Sequence, residues 1–153
     1  MEQQEVIDKI KQALNLFYKK DKYLIDNNAH ERSISHKLAE YLRPMFPDYN
    51  VDCEYDLHGD ELKTLKGIKE CFKRKKTERI LPDIIIHERG PDVNNLAVIE
   101  IKSRTKATDC DIRKLELMTL KDGQFRYDYG FLIQFSKSRV GCQLKLYADG
   151  SEQ

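Results

Sequence analysis

The sequence has little of what marks disordered, fibrous or membrane-spanning chains. Seven glycines and four prolines among 153 residues are too few for a disordered or collagen-like protein. The longest fully apolar runs, such as 96–99, cover four residues. A membrane helix needs about 18. We therefore expect a protein that buries a core and has no membrane partner.

The chain also shows no sign of secretion or of a classical metal-thiolate motif. Residues 1–12 contain acidic side chains and no apolar stretch, so we expect no secretory signal. The four cysteines include no CxxC pair, which excludes the zinc ribbon and redox signatures that this spacing marks. We expect reduced thiols and a cytoplasmic location.

The chain also lacks an excess of charge of either sign. The 27 Lys and Arg nearly balance the 26 Asp and Glu, which leaves a formal net charge of +1. This balance excludes a uniformly cationic surface for nucleic acid, so any basic footprint must be local.

The apolar pattern changes period along the chain and predicts an α/β fold. Spacings of three and four predict helices and alternation predicts strands, whereas 56–79 is polar and ambiguous. The predicted helices cover 5–18, about 30–43 and 109–120. The predicted strands cover 49–55, 80–87, 96–102, 130–135 and 143–147. We expect one domain over 1–153, with a helical extension at 1–26 and a core at 28–147.

Charged residues interrupt two of the predicted strands. Asp83 precedes three isoleucines, and Glu100 and Lys102 share one face of the next strand. A hairpin between these strands would bring Asp83 near Glu100. Two neighbouring carboxylates are costly to bury unless they hold a cation, and oxygen ligands favour Mg²⁺ or Mn²⁺ over Zn²⁺. Lys102 could then orient a water or neutralise a phosphate.

A structural interpretation of the same residues stays open. Glu100 and Lys102 could form the solvated face of a half-exposed antiparallel strand, because such alternation is common there. Glu31 lies on the apolar stripe of the second helix, in its first turn, where the helix dipole alone favours an acid.

The pattern Pro82-Asp83 followed by Glu100-Ile101-Lys102 resembles the PD-(D/E)xK nuclease superfamily. The resemblance covers about residues 28–135 and implies a restriction-endonuclease-like core. That core is a mixed central sheet flanked by helices in αβββαβ order, here with an extra N-terminal helix. It further implies Asp83, Glu100 and the Ile101 carbonyl as ligands of Mg²⁺ or Mn²⁺, with Lys102 and Glu31 as catalytic residues.

The resemblance implies a nuclease that hydrolyses phosphodiester bonds in DNA through a metal-activated water. Two alternatives remain: a structure-selective enzyme similar to junction resolvases, and an inactive nuclease-like fold that binds DNA or a protein. No nucleotide cofactor is expected, and a homodimer would suit the cutting of two strands.

Basic residues near these strands are candidates for phosphate contacts. The segment 69–79 precedes the predicted strand that bears Asp83 and is either a solvated loop or a DNA-binding segment. Two further basic residues follow Lys102 closely. The candidate nucleic-acid-binding residues are Lys73, Arg74, Lys75, Lys76, Arg104 and Lys106.

Overall fold

The computed structural model describes residues 1–55, 57–58, 61–62, 81–90 and 93–153. The predicted DNA-binding residues Lys73, Arg74, Lys75 and Lys76 lie outside the described residues.

Four α-helices are described, three of them where the sequence predicts a helix. They are α1 (Gln3–Lys20), α2 (Lys22–Asp26), α3 (Glu31–Leu42) and α4 (Asp109–Thr119). The short α2 lies in a polar stretch that the apolar pattern does not mark. A 3-10 turn at Arg43–Met45 ends α3, because Pro44 cannot continue an α-helix.

Eight strands are described, in two sheets. They are β1 (Asn50–Cys53), β2 (Leu57–His58), β3 (Glu61–Leu62), β4 (Ile84–His87), β5 (Asn95–Lys102), β6 (Tyr129–Gln134), β7 (Gln143–Ala148) and β8 (Ser151–Glu152). The larger sheet has the order β1-β4-β5-β6-β7-β8, and β2 pairs with β3 separately. Only β5 and β6 run parallel in the larger sheet, so it is a mixed sheet, as the α/β expectation requires.

Successive side chains of β5 point to opposite faces of the sheet, and each face packs into a separate hydrophobic core. Ile99 and Ile101 join the apolar residues of α1 and α3 on one face. Val98 packs on the other face with Leu115 and Met118 of α4. Glu100 therefore faces α4, because it has the same parity as Val98.

Two expectations need correction. The strand predicted over 80–87 begins at Ile84 in the structure, so Asp83 precedes the strand instead of lying within it. Cys110 in α4 is disulfide-bonded, whereas Cys53 and Cys142 are free thiols. The expectation that all four cysteines are reduced is therefore wrong, and a disulfide gives no support to a cytoplasmic location.

Within the described residues, no helix combines the length and apolarity that crossing a membrane requires.

Candidate active site

The β4–β5 hairpin brings Asp83 to Glu100. Ile84 pairs with Ile99 in the antiparallel register, so the residue before β4 reaches the end of β5. There Asp83 Oδ2 accepts a hydrogen bond of 2.7 Å from the Ile101 backbone N–H. The proximity expected from the hairpin is thus confirmed.

Glu100 is almost completely buried between β5 and α4. Only 3% of the residue is exposed, and the Lys114 Nζ lies 2.6 Å from its Oε1. This oxygen otherwise accepts no hydrogen bond from the described part of the chain. Lys114 was not among the predicted site residues. Its position three residues after Asp111 on a helix that faces a charged strand is the signal that could have revealed it.

Lys102 shares the face of Glu100 and forms the second contact with α4. Its Nζ lies 3.1 Å from Asp111 Oδ1. Asp111 is also fixed by the capping box of α4, in which its Oδ2 accepts 2.8 Å hydrogen bonds from the Thr108 N–H and hydroxyl. The strand thus presents an acid and a base, and the helix presents the complementary base and acid.

Glu31 reaches the same end of β5 from the other side of the sheet. It lies in the first turn of α3, and its Oε2 accepts a 2.8 Å hydrogen bond from the Ser103 backbone N–H. The Ser103 Oγ is buried and makes no hydrogen bond within the described residues. Four of the predicted residues therefore meet at one end of the sheet. We call Glu31, Asp83, Glu100 and Lys102 the strand-end site.

The two acids predicted as metal ligands are harder to ionise than usual. Burial raises the pKa of Glu100 to about 7; Lys114 opposes this shift and the nearby Asp83 adds to it. Burial also raises the pKa of Asp83, against the hydrogen bond from Ile101 and the charges of Lys114 and Lys102. Carboxyl groups with strongly shifted pKa values are often found at functional sites, where burial and neighbouring charges tune them.

The pair Lys102–Asp111 is shifted toward its charged form. For Asp111, burial acts to raise the pKa, but the Thr108 hydrogen bonds and Lys102 outweigh it and leave the pKa lowered. For Lys102, burial acts to lower the pKa, and contact with Asp111 reverses this and leaves the pKa raised. The ammonium of Lys102 is thus stable as a charge next to the two acids.

Asp83 is accessible from the side of α3 and β1. A depression of about 140 Å³ is lined there by Arg32, Ser35, His36, Cys53, Glu54 and Asp83. An ion pair of 2.7 Å between Arg32 Nε and Glu54 Oε1 borders it. Of the strand-end site, Asp83 is the residue that lines this depression.

Arg104 and Lys106 follow β5 and are exposed at the surface. The Arg104 guanidinium donates a hydrogen bond to the Asn28 carbonyl. Both residues lie close in sequence to Lys102, and their role as phosphate contacts stays a prediction.

A second buried carboxylate, which was not predicted, lies near the sheet edge. Asp52 Oδ2 is 3.0 Å from His87 Nε2 and accepts a 2.8 Å hydrogen bond from Arg89 Nε. A second Arg89 nitrogen bonds the other oxygen of Asp52. Burial acts to raise the pKa of Asp52, but Arg89 and His87 outweigh it and leave the pKa lowered. We call Asp52, His87 and Arg89 the edge cluster.

A larger cavity of about 780 Å³ lies elsewhere, beside the end of α4 and β8, and contains none of the predicted site residues. Its walls include charges of both signs, among them Lys121 and Asp149, whose Nζ and Oδ2 are 3.7 Å apart. The size of this cavity alone does not identify a ligand or a reaction.

No group of three or more His, Cys, Asp or Glu side chains is arranged to hold a metal among the described residues. No protein-family model matches the chain, and neither a curated protein nor a solved structure matches it. The strand-end site must therefore be judged on its own geometry.

Proposed function

We propose that the protein is a metal-dependent nuclease of the PD-(D/E)xK type that hydrolyses phosphodiester bonds in DNA. The observation that carries this proposal is the meeting of Asp83 and Glu100 where β4 begins and β5 nears its end. Glu100 is buried, Asp83 is partly buried, and both have raised pKa values. Lys102 shares the face of Glu100, and Glu31 reaches the same strand end from α3.

The arrangement of elements supports the same proposal. After α3, strands β1, β4 and β5 form an antiparallel unit, α4 follows, and β6 then lies parallel to β5. This sequence of elements agrees with the αβββαβ order of a restriction-endonuclease-like core. We include that fold in the proposal.

The donor set suits Mg²⁺ or Mn²⁺. Asp83, Glu100 and the Ile101 carbonyl would hold the ion through oxygen atoms, which hard cations prefer. The buried Oε1 of Glu100 has the Lys114 ammonium beside it and no other partner among the described residues, so it is a carboxylate oxygen that a cation could bind. When bound, the ion would polarise the phosphate and make a water molecule more acidic.

The remaining residues have roles that follow from their positions. Lys102, held by Asp111, would place a positive charge beside the phosphate and stabilise the charge that builds up during hydrolysis. Glu31 fixes the backbone just after Lys102 through its bond to Ser103, so it would position the strand end. Arg104 and Lys106 would contact neighbouring phosphates. A homodimer would place two such sites on the two strands of DNA.

One observation favours the second candidate, a nuclease-like module that binds without cutting. Both lysines that face the site are already paired with carboxylates, Lys102 with Asp111 and Lys114 with Glu100. Such complementary pairs could serve only to attach α4 to β5. Cleavage and binding must therefore be measured separately.

The deciding experiment compares the native protein with Lys102→Ala on supercoiled, linear and four-way-junction DNA, with Mg²⁺ and with Mn²⁺. We expect the substitution to abolish cleavage and to preserve DNA binding, because removing a transition-state interaction need not weaken ground-state binding. Arg113→Ala, on the exposed side of α4, is the control and should cut normally. A native protein that binds one of these DNAs and cuts none would support the binding module instead. Cutting by Lys102→Ala at the native rate would assign the activity elsewhere.

A further inference from the structure

The Lys114 ammonium lies against Glu100, one of the proposed metal ligands. Its Nζ is 2.6 Å from Glu100 Oε1, and its side chain is only 13% exposed. Mg²⁺ binds carboxylate oxygens at about 2.0–2.1 Å. An ammonium and a divalent cation on the same oxygen would repel each other strongly at this depth, so both cannot remain there.

The Lys114–Glu100 pair is held less firmly than its neighbour. In the pair Lys102–Asp111, the acid is also fixed by two hydrogen bonds from Thr108. Within the described residues, Lys114 has no second carboxylate oxygen within 4 Å, although its charge also acts on Asp83, and Glu100 Oε1 accepts no other hydrogen bond. A lysine side chain has four flexible carbons, so its ammonium can move while the helix stays in place.

We propose that Lys114 is a displaceable counter-ion that neutralises Glu100 in the metal-free protein and leaves it when Mg²⁺ or Mn²⁺ binds. This inference rests on the proposed function, because it requires a metal site at Asp83 and Glu100. It explains how a buried acid is kept stable before the metal arrives, since an unpaired buried charge is strongly destabilising. It also makes Lys114 a determinant of metal affinity, although it is not a metal ligand.

The test is calorimetric titration of Mn²⁺ into the native protein and into Lys114→Met, which keeps the long side chain and removes the charge. We expect Mn²⁺ affinity to rise about tenfold or more in Lys114→Met, because the competing cation is gone. Saturating Mn²⁺ should also raise the melting temperature more in this variant than in the native protein. Arg113→Met removes a charge from the adjacent, exposed position and should bind Mn²⁺ like the native protein.

Lys114→Arg provides a second test if Lys114→Met does not fold. The guanidinium can bind Glu100 with two parallel hydrogen bonds and is harder to displace, so Mn²⁺ affinity should fall about tenfold. If the native protein binds Mn²⁺ and the folded Lys114 variant binds it with the same affinity, the displacement of Lys114 is overturned, but the metal site is still supported. Absence of Mn²⁺ binding in the native protein and in both variants would overturn the proposed function as well.

Discussion

Asp52 and Glu100 are both buried on the face of the sheet that packs against α4, yet their surroundings differ. Asp52 is bonded through both oxygens, by His87 and by Arg89, and its pKa is lowered. Among the described residues, Glu100 forms one ion pair, with Lys114, and its pKa is raised to about 7. Another acid, Asp83, lies close enough to raise the pKa of Glu100 further.

This difference separates a structural carboxylate from a candidate ligand. The partners of Asp52 satisfy its charge without help from outside the chain, so the edge cluster is explained by stability alone. The acids of the strand-end site remain costly as ions in the chain as it stands. A divalent cation would remove that cost, and the comparison therefore predicts opposite responses of the two regions to substitution.

The largest expected difference is in cleavage. Asp83→Asn and Glu100→Gln should each lower metal-dependent cleavage of DNA by about 100-fold or more, because they remove charge that the reaction centre depends on. Asp52→Asn, the matched change in the edge cluster, should cut at the native rate once folded. Rates would be followed on the substrate that the native protein cuts best. Equal reductions in all three variants would remove the distinction between the two regions.

Substitution in the edge cluster should instead affect the free energy of unfolding. Asp52→Ala should lower the free energy of unfolding by about 1–3 kcal/mol, because it removes the contact with the buried His87 and both hydrogen bonds from Arg89. Urea denaturation measures this decrease, and Asp48→Ala, at an exposed position, is the control.

The same carboxylate predicts a dependence on pH. Since the pKa of Asp52 is lower in the folded protein, its contribution is complete above the unfolded pKa of about 3.9 and disappears as the pH falls through the folded value. Native stability should thus fall more steeply than that of Asp52→Asn below about pH 4. Parallel curves for the two proteins would show that Asp52 makes no such contribution.

A smaller effect concerns the support of Lys102. Asp111→Asn should lower cleavage about tenfold, because it weakens the contact that orients the lysine. Thr108→Ala removes the hydroxyl that caps α4, but Asp111 keeps its hydrogen bond from the backbone N–H of residue 108 and its contact with Lys102. It should therefore cost about 1 kcal/mol of stability without a change in cleavage. If Thr108→Ala reduces cleavage as much as Asp111→Asn does, helix stability and not orientation controls the rate.

The smallest expected effect is on the salt dependence of DNA binding. Neutralising Arg104 and Lys106, or the basic residues at 73–76, should lower the slope of log affinity against log salt by up to about 0.9 for each phosphate interaction that is removed. Sequence preference should change little, because phosphate contacts carry none. An unchanged slope would mark these residues as solvated surface charges.

The part of the strand-end site that depends on strand geometry could be predicted from the sequence. Alternation places Glu100 and Lys102 on one face of β5, and pairing of β4 with β5 brings Asp83 to them. Both steps depend only on local geometry and one antiparallel pairing. The meeting of α3 with the same strand end, through Glu31 and Ser103, agrees with the stripe position of Glu31 but requires the tertiary fold.

Other features could not be read from the chain. Lys114 contacts Glu100 only because α4 packs on β5 in one particular rotation, and periodicity alone does not determine that rotation. The edge cluster depends on a diagonal pair between β1 and β4, strands separated by a long polar segment with no clear pattern. The predicted strand starts at residue 80 because Ile80 and Leu81 extend the apolar run, whereas β4 begins at Ile84 in the structure.

Calorimetric titration of Mn²⁺ into the native protein, Asp83→Ala and Asp52→Ala tests the central claim most directly. The account predicts that Mn²⁺ binds to the native protein and to Asp52→Ala but not to Asp83→Ala, because Asp83 is a proposed metal ligand and Asp52 is not. Ca²⁺ should also bind, without supporting cleavage, since catalysis requires the tighter octahedral geometry of the smaller ions. Equal Mn²⁺ affinity in the native protein and Asp83→Ala would contradict the account.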